Sequence, residues 1–439
     1  MTRFFRISFA IAVVSLFSNV AHAQFNLDGQ IVQRAEYRHG YGRLFEEGDE
    51  AAKFIAQRAR LNAQYEIESF KFYVSIQDVR TWGNTPQVKL SDNYLSVHEA
   101  WAETQLFDNL TVKLGRQELN YDNFRFLGNL DWALQGRAHD FALLKYEKGA
   151  MKLHAGAGYN QNDQSLSGTL YTIPNQYKAA QFVRYENRMT NFQFSALFWN
   201  NGLQFADTDA TGQILEEGVR YRQTLGLPTL KYELGNTSLS GFYYYQFGED
   251  VVGRDLQAFD ASAQVSHLIP MDSVQGNSLR LTAGIEILSG TDTNNLTGEN
   301  NSFSPLYGTN HAHNGYMDLF YVGGRHENSV GLQDIFLRIR YDVNPKLFAS
   351  LNGHYFRSYA DVYRNGNALD KHLGYETDLA LGYILNGAVS LQAGYSQVFA
   401  GDTLEYLHNV QNPADVQNWG YVMLIYRPTM KNRFIGLLF

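Results

Sequence analysis

The chain has 439 residues, with 36 lysines and arginines against 44 aspartates and glutamates, a net charge of −8, and no cysteine. The acidic balance argues against nucleic acid as a partner. The missing cysteine excludes disulfides, thiolate metal sites and a lipidated cysteine anchor.

Residues 1–23 read as a secretory signal: Arg3 and Arg6 at the start, an apolar run over 7–17, and Ala21-His22-Ala23 as a small-x-small cleavage site. That run is about half the length of about 20 residues that a membrane-spanning helix needs. Cleavage after Ala23 leaves one domain, 24–439, with 34 basic and 44 acidic residues. No later apolar run is long enough for a helical span.

From there a period-2 pattern runs along the chain. Arg58, Arg60, Asn62, Gln64 and Glu66 interleave with Ala59, Leu61, Ala63, Tyr65 and Ile67. Lys152 and His154 alternate with Met151, Leu153 and Ala155; Arg280, Thr282 and Glu286 with Leu279, Leu281 and Ile285; Asp334, Arg338 and Arg340 with Ile335, Leu337 and Ile339. Adjacent residues of a strand point to opposite faces, so each segment is polar on one side and apolar on the other. Short turns at 68–71, 107–109, 147–150, 189–191, 234–237, 271–277, 343–346, 385–388 and 428–432 alternate with long polar connections. The long ones are 39–53, 82–94, 118–137, 160–178, 200–218, 248–256, 289–331, 357–373 and 400–417. Short turns on one rim and long loops on the other is the arrangement of outer-membrane barrels. Aromatic-rich, glycine-rich composition with a mean hydropathy of −0.33 fits their aromatic girdles and polar interiors.

The fold class expected is therefore all-β: a transmembrane antiparallel barrel of about 18 strands. One strand before the first long connection and nine hairpins after it make 19, but single-chain bacterial barrels have an even number. Pro428 cannot donate to a ladder and ends a strand over 419–427, which leaves 18 strands and an ambiguous tail, 429–439.

In a barrel the arginines must face the lumen, because each one on the lipid face near the midplane costs about 2–4 kcal/mol. Arg58 and Arg60, Arg184 and Arg188, Arg220 and Arg222, and Arg338 and Arg340 form such inward pairs. Fixed guanidiniums in a pore favour anions. Two readings remain open at this point: an arginine-rich constriction that acts on a solute, or a structural lattice in which carboxylates such as Glu66, Glu186, Asp334 and Asp342 neutralise it.

Three stretches resemble the alginate export family of outer-membrane barrels. They are Gln57-Arg58-Ala59-Arg60-Leu61 with 71–83; His98-Glu99-Ala100-Trp101 through Gly115-Arg116-Gln117-Glu118-Leu119 to Gln135-Gly136-Arg137; and 303–311 with Gly315-Tyr316-Met317-Asp318. The resemblance implies an 18-stranded barrel with a narrow positive conduit that passes an anionic polysaccharide across the outer membrane. Arg116 and Arg137 match the family motif most closely. It also implies outer-membrane lipid around the barrel, periplasmic export partners, and no catalysis.

Sites for other chemistry are weak. His311 and His313 form an H-x-H pair without a specified third ligand, and Asp292, Asn294, Asn295 and Glu299 lack EF-hand spacing. There is no G-x-S-x-G nucleophile motif, and no cofactor is expected. The 289–331 connection is far longer than a bare link requires. The expectation is that it folds over or into the lumen and gates it through Tyr307, His311, Tyr316 and Asp318. The reading is a channel for an anionic polysaccharide or oligosaccharide; the alternatives are a general diffusion porin, or an adhesive or enzymatic barrel with a closed lumen.

Overall fold

In the computed structural model, residues 24–88, 94–272, 275–320, 329–428 and 433–437 are described. The secretory signal expected over 1–23 lies outside them. Eighteen strands form one antiparallel sheet. They are β1 (Gln24–His39), β2 (Ala52–Ile67), β3 (Phe70–Thr81), β4 (Leu95–Phe107), β5 (Leu110–Gln117) and β6 (His139–Lys148). Next come β7 (Met151–Tyr159), β8 (Ala179–Arg188), β9 (Phe192–Thr208), β10 (Ile214–Leu234), β11 (Thr237–Glu249) and β12 (Asp255–Asp272). The last six are β13 (Asn277–Leu288), β14 (Leu332–Asn344), β15 (Leu347–Arg357), β16 (His372–Ile384), β17 (Val389–Ala400) and β18 (Gln417–Tyr426). Each strand pairs with its sequence neighbours, and β18 pairs with both β17 and β1. Closure leaves no free edge, which lipid would not tolerate.

The alternation holds through the strands. On β18, Trp419, Met423 and Ile425 are buried inside while Val422, Leu424 and Tyr426 are exposed outside. On β14, Asp334 and Phe336 are buried and Ile335 and Leu337 are exposed. The apolar outer wall is what the acyl chains cover.

Two expected loops are hairpin extensions instead. The polar stretches 200–218 and 248–256 predict long connections, yet β9 and β10 stay paired up to Ile214 opposite Thr208. The β11–β12 pairing likewise reaches Glu249 opposite Asp255. Ladder hydrogen bonds are made by backbone, so polar side chains such as Asp207 and Glu217 do not end a strand that projects into water. The last strand ends at Tyr426.

Residues 433–437, beyond it, do not join the wall. Among the described residues, Ile435 is buried and its backbone is gripped by one side chain: its N–H donates to Gln392 Oε1 at 2.9 Å, and Gln392 Nε2 donates to its carbonyl at 2.8 Å. Gln392 and Ser390 face inward on β17, and the Ser390 hydroxyl donates to the Arg433 carbonyl. Residues 433–437 thus lie inside the barrel, on the side of the short turns.

Candidate functional site: a lumen stoppered by two loops

Two long connections fold inward and meet. The segment after β5, 118–138, and the segment after β13, 300–320, run side by side, with Leu127 and Tyr307 forming a parallel bridge. Gly128 N–H donates to the Tyr307 carbonyl at 3.0 Å, and Thr309 N–H to the Phe124 carbonyl at 2.8 Å. A Cβ at Gly308 would overlap the Arg125 backbone carbonyl, and one at Gly315 (φ +82°) would sit 2.6 Å from the Glu376 carboxyl. The approach of loop to loop and loop to wall therefore requires glycine at both places. Phe126, Leu127, Trp132, Phe303, Tyr316 and Met317 make an apolar core that crosses the lumen.

The four residues expected on the gating loop are all buried in this stopper. Tyr307 donates its hydroxyl hydrogen to Asn201 Oδ1 on β9 at 2.7 Å. The His311 ring stacks on Trp132 and pairs through Nδ1 with Asp318 at 3.0 Å; Tyr316 stacks on its other side. Asp318 also accepts from the Tyr41 hydroxyl.

Of the arginines singled out in the sequence, Arg58 and Arg60 face inward on β2 and are committed to protein partners. Arg58 pairs with Asp131 at 2.8 Å and donates to the Leu134 carbonyl; Arg60 donates to Gln77 and lies 4.0 Å from Glu118. Arg184 pairs with Asp122 and Glu186 at 2.7 and 2.6 Å. Arg222 faces inward and is buried; Arg220 donates to the Val251 carbonyl and lies over the Phe205 ring. Arg137 braces the two loops to each other, donating to the Tyr307 and Gly308 carbonyls. Arg188, Arg338 and Arg340 face the lumen near the short turns.

Arg116 is not a lumen residue. It has the parity of Leu114, which is exposed to the outside, while Gln117 is buried inside. It pairs at 2.9 Å with Asp140, opposite it on β6 and likewise outward. It sits one residue from the loop end of β5, where a guanidinium reaches water and head groups and the cost on a barrel's outer face falls to about 0–1 kcal/mol.

The sequence singles out one member, Asp334, of a larger acidic wall on β12 to β16. Asp260, Glu286, Asp334, Glu376 and Asp378 are all buried and inward. Arg125, from the first loop, reaches Asp260 at 3.1 Å and Glu286 at 2.7 Å, and donates to Asn314 on the second loop at 2.9 Å. His354 pairs with Asp334 at 2.9 Å, and Glu376 accepts from Met317 N–H at 2.8 Å. The signal for this wall was the same alternation that revealed the arginines; what was invisible was that a loop arginine 135 residues away completes it.

Loop charges are tuned by their neighbours. Burial alone would raise the Asp131 carboxyl, but Arg58 and Arg427 beside it, with Arg60 behind, hold it well below the usual carboxylate range. Burial likewise works against Glu118, but hydrogen bonds from His98, Asn129 and Asn120 outweigh it and keep it low. Burial, then the Arg125 and Arg338 charges, push His313 well below its ordinary value, so it is neutral at pH 7. His311 and His313 point to different partners, Asp318 and Glu286. Among the described residues, the one cluster of three groups spaced to hold a metal is His98, Glu99 and Glu118. There Glu118 takes donors from His98, Asn120 and Asn129, with Arg60 nearby, which makes it a hydrogen-bond hub.

On either side of the stopper lies a cavity. The one toward the long loops has a volume of about 1150 Å³ and is lined by Arg38, Trp132, Arg137, Arg222, Tyr307 and His311 among others. The one toward the short turns has about 450 Å³ and includes Arg188, Arg280, Arg338 and Arg340.

The sequence profile of the alginate export family matches residues 23–413. The chain belongs to the alginate export family. A comparison with curated protein sequences finds no match. Solved structures with the same fold include Pseudomonas aeruginosa OccK9 (OpdG), at 15% identity and a TM-score of 0.57, over 91% of this chain and 98% of that one. Pseudomonas aeruginosa OccK3 (OpdO) is 15% identical with a TM-score of 0.55, over 91% of this chain and 95% of that one. A BenF-like porin from Pseudomonas fluorescens Pf-5 is 12% identical with a TM-score of 0.55, over 92% and 98%. At these identities the likeness is one of fold. This alginate export family protein is an outer-membrane β-barrel channel.

Proposed function

We propose that this channel passes an anionic saccharide, polymeric or oligomeric, across the outer membrane through a lumen lined by fixed guanidinium groups. The observation that carries the reading is the run of inward arginines from the outer cavity (Arg38, Arg222) to the inner one (Arg338, Arg340). Guanidiniums offset the desolvation of a passing carboxylate, and neighbouring carboxylates keep the hold weak enough for release. Membership of the alginate export family supports an acidic sugar as cargo. Periplasmic export partners and a signal over 1–23 that directs the chain out of the cytoplasm belong to the same proposal. We read the protein as a channel and not as an enzyme, as its family suggests.

In this reading the two inward loops are the gate, and Tyr307, His311, Tyr316 and Asp318 hold it shut. Planar-bilayer reversal potentials in a salt gradient test the function: the channel is expected to select anions and to be blocked by polyuronate. Equal permeability to cations and anions would leave a general diffusion porin, the reading its porin-like fold otherwise allows. Deletion of 295–325 is expected to raise conductance; an unchanged conductance would dispose of the gate.

A further inference from the structure

Residues 433–437 lie below the stopper in a seat built by three neighbouring strands. On β17, the Gln392 amide takes both backbone groups of Ile435, the N–H at 2.9 Å and the carbonyl at 2.8 Å, as a paired strand would. The same amide nitrogen also donates to the Tyr421 hydroxyl at 2.7 Å, which fixes its orientation. Two positions earlier, the Ser390 hydroxyl donates to the Arg433 carbonyl at 2.6 Å. From β15, Phe348 meets the Phe434 ring edge-on, with centroids 4.9 Å apart. On β16, between these two strands, stands Gly382, where a Cβ would lie 2.1 Å from Phe348 and 2.7 Å from Phe434. Glycine at that position leaves room for both rings.

The same segment touches the stopper. Gly436 has φ +74°, and a Cβ on it would lie 2.4 Å from Cε3 and 2.9 Å from Cδ2 of Trp132. Its backbone therefore rests directly on the indole that stacks on His311 and joins the two loops. Ile435 is buried in the apolar core that Trp132, Tyr316 and Met317 share. Asp131, next to Trp132, pairs with Arg427, whose carbonyl accepts from the Arg433 guanidinium. Two successive stopper residues are thus tied to the stretch beyond β18, one through Arg427 and one through Gly436. We propose that residues 433–437 are a latch that holds the stopper closed from the side of the short turns. Docked, the segment props Trp132 and with it both loops; released, it leaves the indole unsupported and the stopper free to open. The hold is reversible by construction. Three neutral hydrogen bonds join the segment to the wall, each with a small net contribution, and among the described residues it makes no ion pair. This rests on reading the two loops as a gate and adds what keeps that gate shut.

The chain has no cysteine, so a single introduced thiol reports on its own position. In the full-length protein, Ile435→Cys is expected to react with a thiol reagent far more slowly than Leu296→Cys, an exposed loop position. Adding Gln392→Ala is expected to speed labelling at 435 by about tenfold, the worth of the two hydrogen bonds it removes. Single-channel recordings read the gate. Gly436→Leu, which puts a side chain where the indole lies, and a chain ended after Pro428 are both expected to open more often than the parent. Gly436→Leu keeps the full length, and heat-modifiable gel mobility confirms a closed barrel in each variant. Labelling at 435 as fast as at 296 overturns the docking. Unchanged opening frequency in Gly436→Leu and in the shortened chain overturns the latch. Deletion of 295–325 separates the two claims. If that deletion raises conductance while release of 433–437 does nothing, the latch alone falls. If it leaves conductance unchanged while release of 433–437 increases openings, the loop gate falls, and the segment is an obstruction in its own right and not a latch.

Discussion

Trp132, from the loop after β5, lies flat against His311, from the loop after β13, with ring centroids 4.1 Å apart and planes 6° from parallel. The two rings come from segments 179 residues apart in sequence and join the halves of the stopper. Arg34 lies 4.1 Å from the indole ring, and Trp419 and Tyr421 on β18 meet it edge-on. Trp132 therefore anchors both loops to the barrel wall. Large-to-small truncation of a buried aromatic costs about 3–5 kcal/mol. Trp132→Ala is expected to leave the barrel folded but loosen the stopper, seen as larger conductance and more frequent current fluctuations in single channels.

Arg125 is fully buried and is the charge that joins the first loop to the acidic wall. Removing one partner of a buried pair leaves uncompensated charge and costs about 3–5 kcal/mol. Arg125→Met is expected to release both loops together, because Asn310 and Asn314 also lose their donor. Limited proteolysis would then cut within 118–137 and 300–320; resistance equal to that of the parent would show that Arg125 does not hold the stopper.

His313 supplies a pH dependence with a definite sign. Its folded value is depressed, so the unfolded or released loop binds more protons. The stability it contributes is present above about pH 6.5 and is lost as pH falls from there toward the folded value, by up to about 1.4 kcal/mol per pH unit. Channel openings are expected to become more frequent on acidification from pH 7 to 5. His313→Gln should flatten that response within this window, and a response unaltered by the substitution would move the cause elsewhere.

Arg116→Gln provides the control. The residue faces outward and its pair with Asp140 is exposed, so the change should alter stability by no more than about 1 kcal/mol. Anion selectivity should be unchanged, whereas a shift in reversal potential as large as that of Arg338→Gln would mean that Arg116 reaches the permeation path after all.

The case of Arg116 also marks how the sequence is best read. Its parity with Leu114 was visible in the alternation and correctly places it outside; the family motif match alone pointed inward. Asp334 and Glu286 were equally visible on the polar face of their strands. That they form one wall with Asp260 and Asp378, closed over by Arg125, was not.

Closed barrel, strand number, inward arginine pairs and an oversized connection at 289–331 all follow from local rules: side chains alternate every second residue along a strand, and lipid penalises a charge on the wrong face. These rules act over a few residues, so they can be read along the chain. Some neutralising pairs are local, two residues apart on one strand, as in Arg184–Glu186 and Arg340–Asp342, but others depend on what barrel closure brings together, such as Arg427 with Asp131, 296 residues apart, or Arg125 with Asp260. Loops have no periodicity to announce that they turn inward, and an ion pair made across the lumen has no sequence spacing. The stopper and the cross-lumen ion pairs that hold it therefore arise from long-range packing.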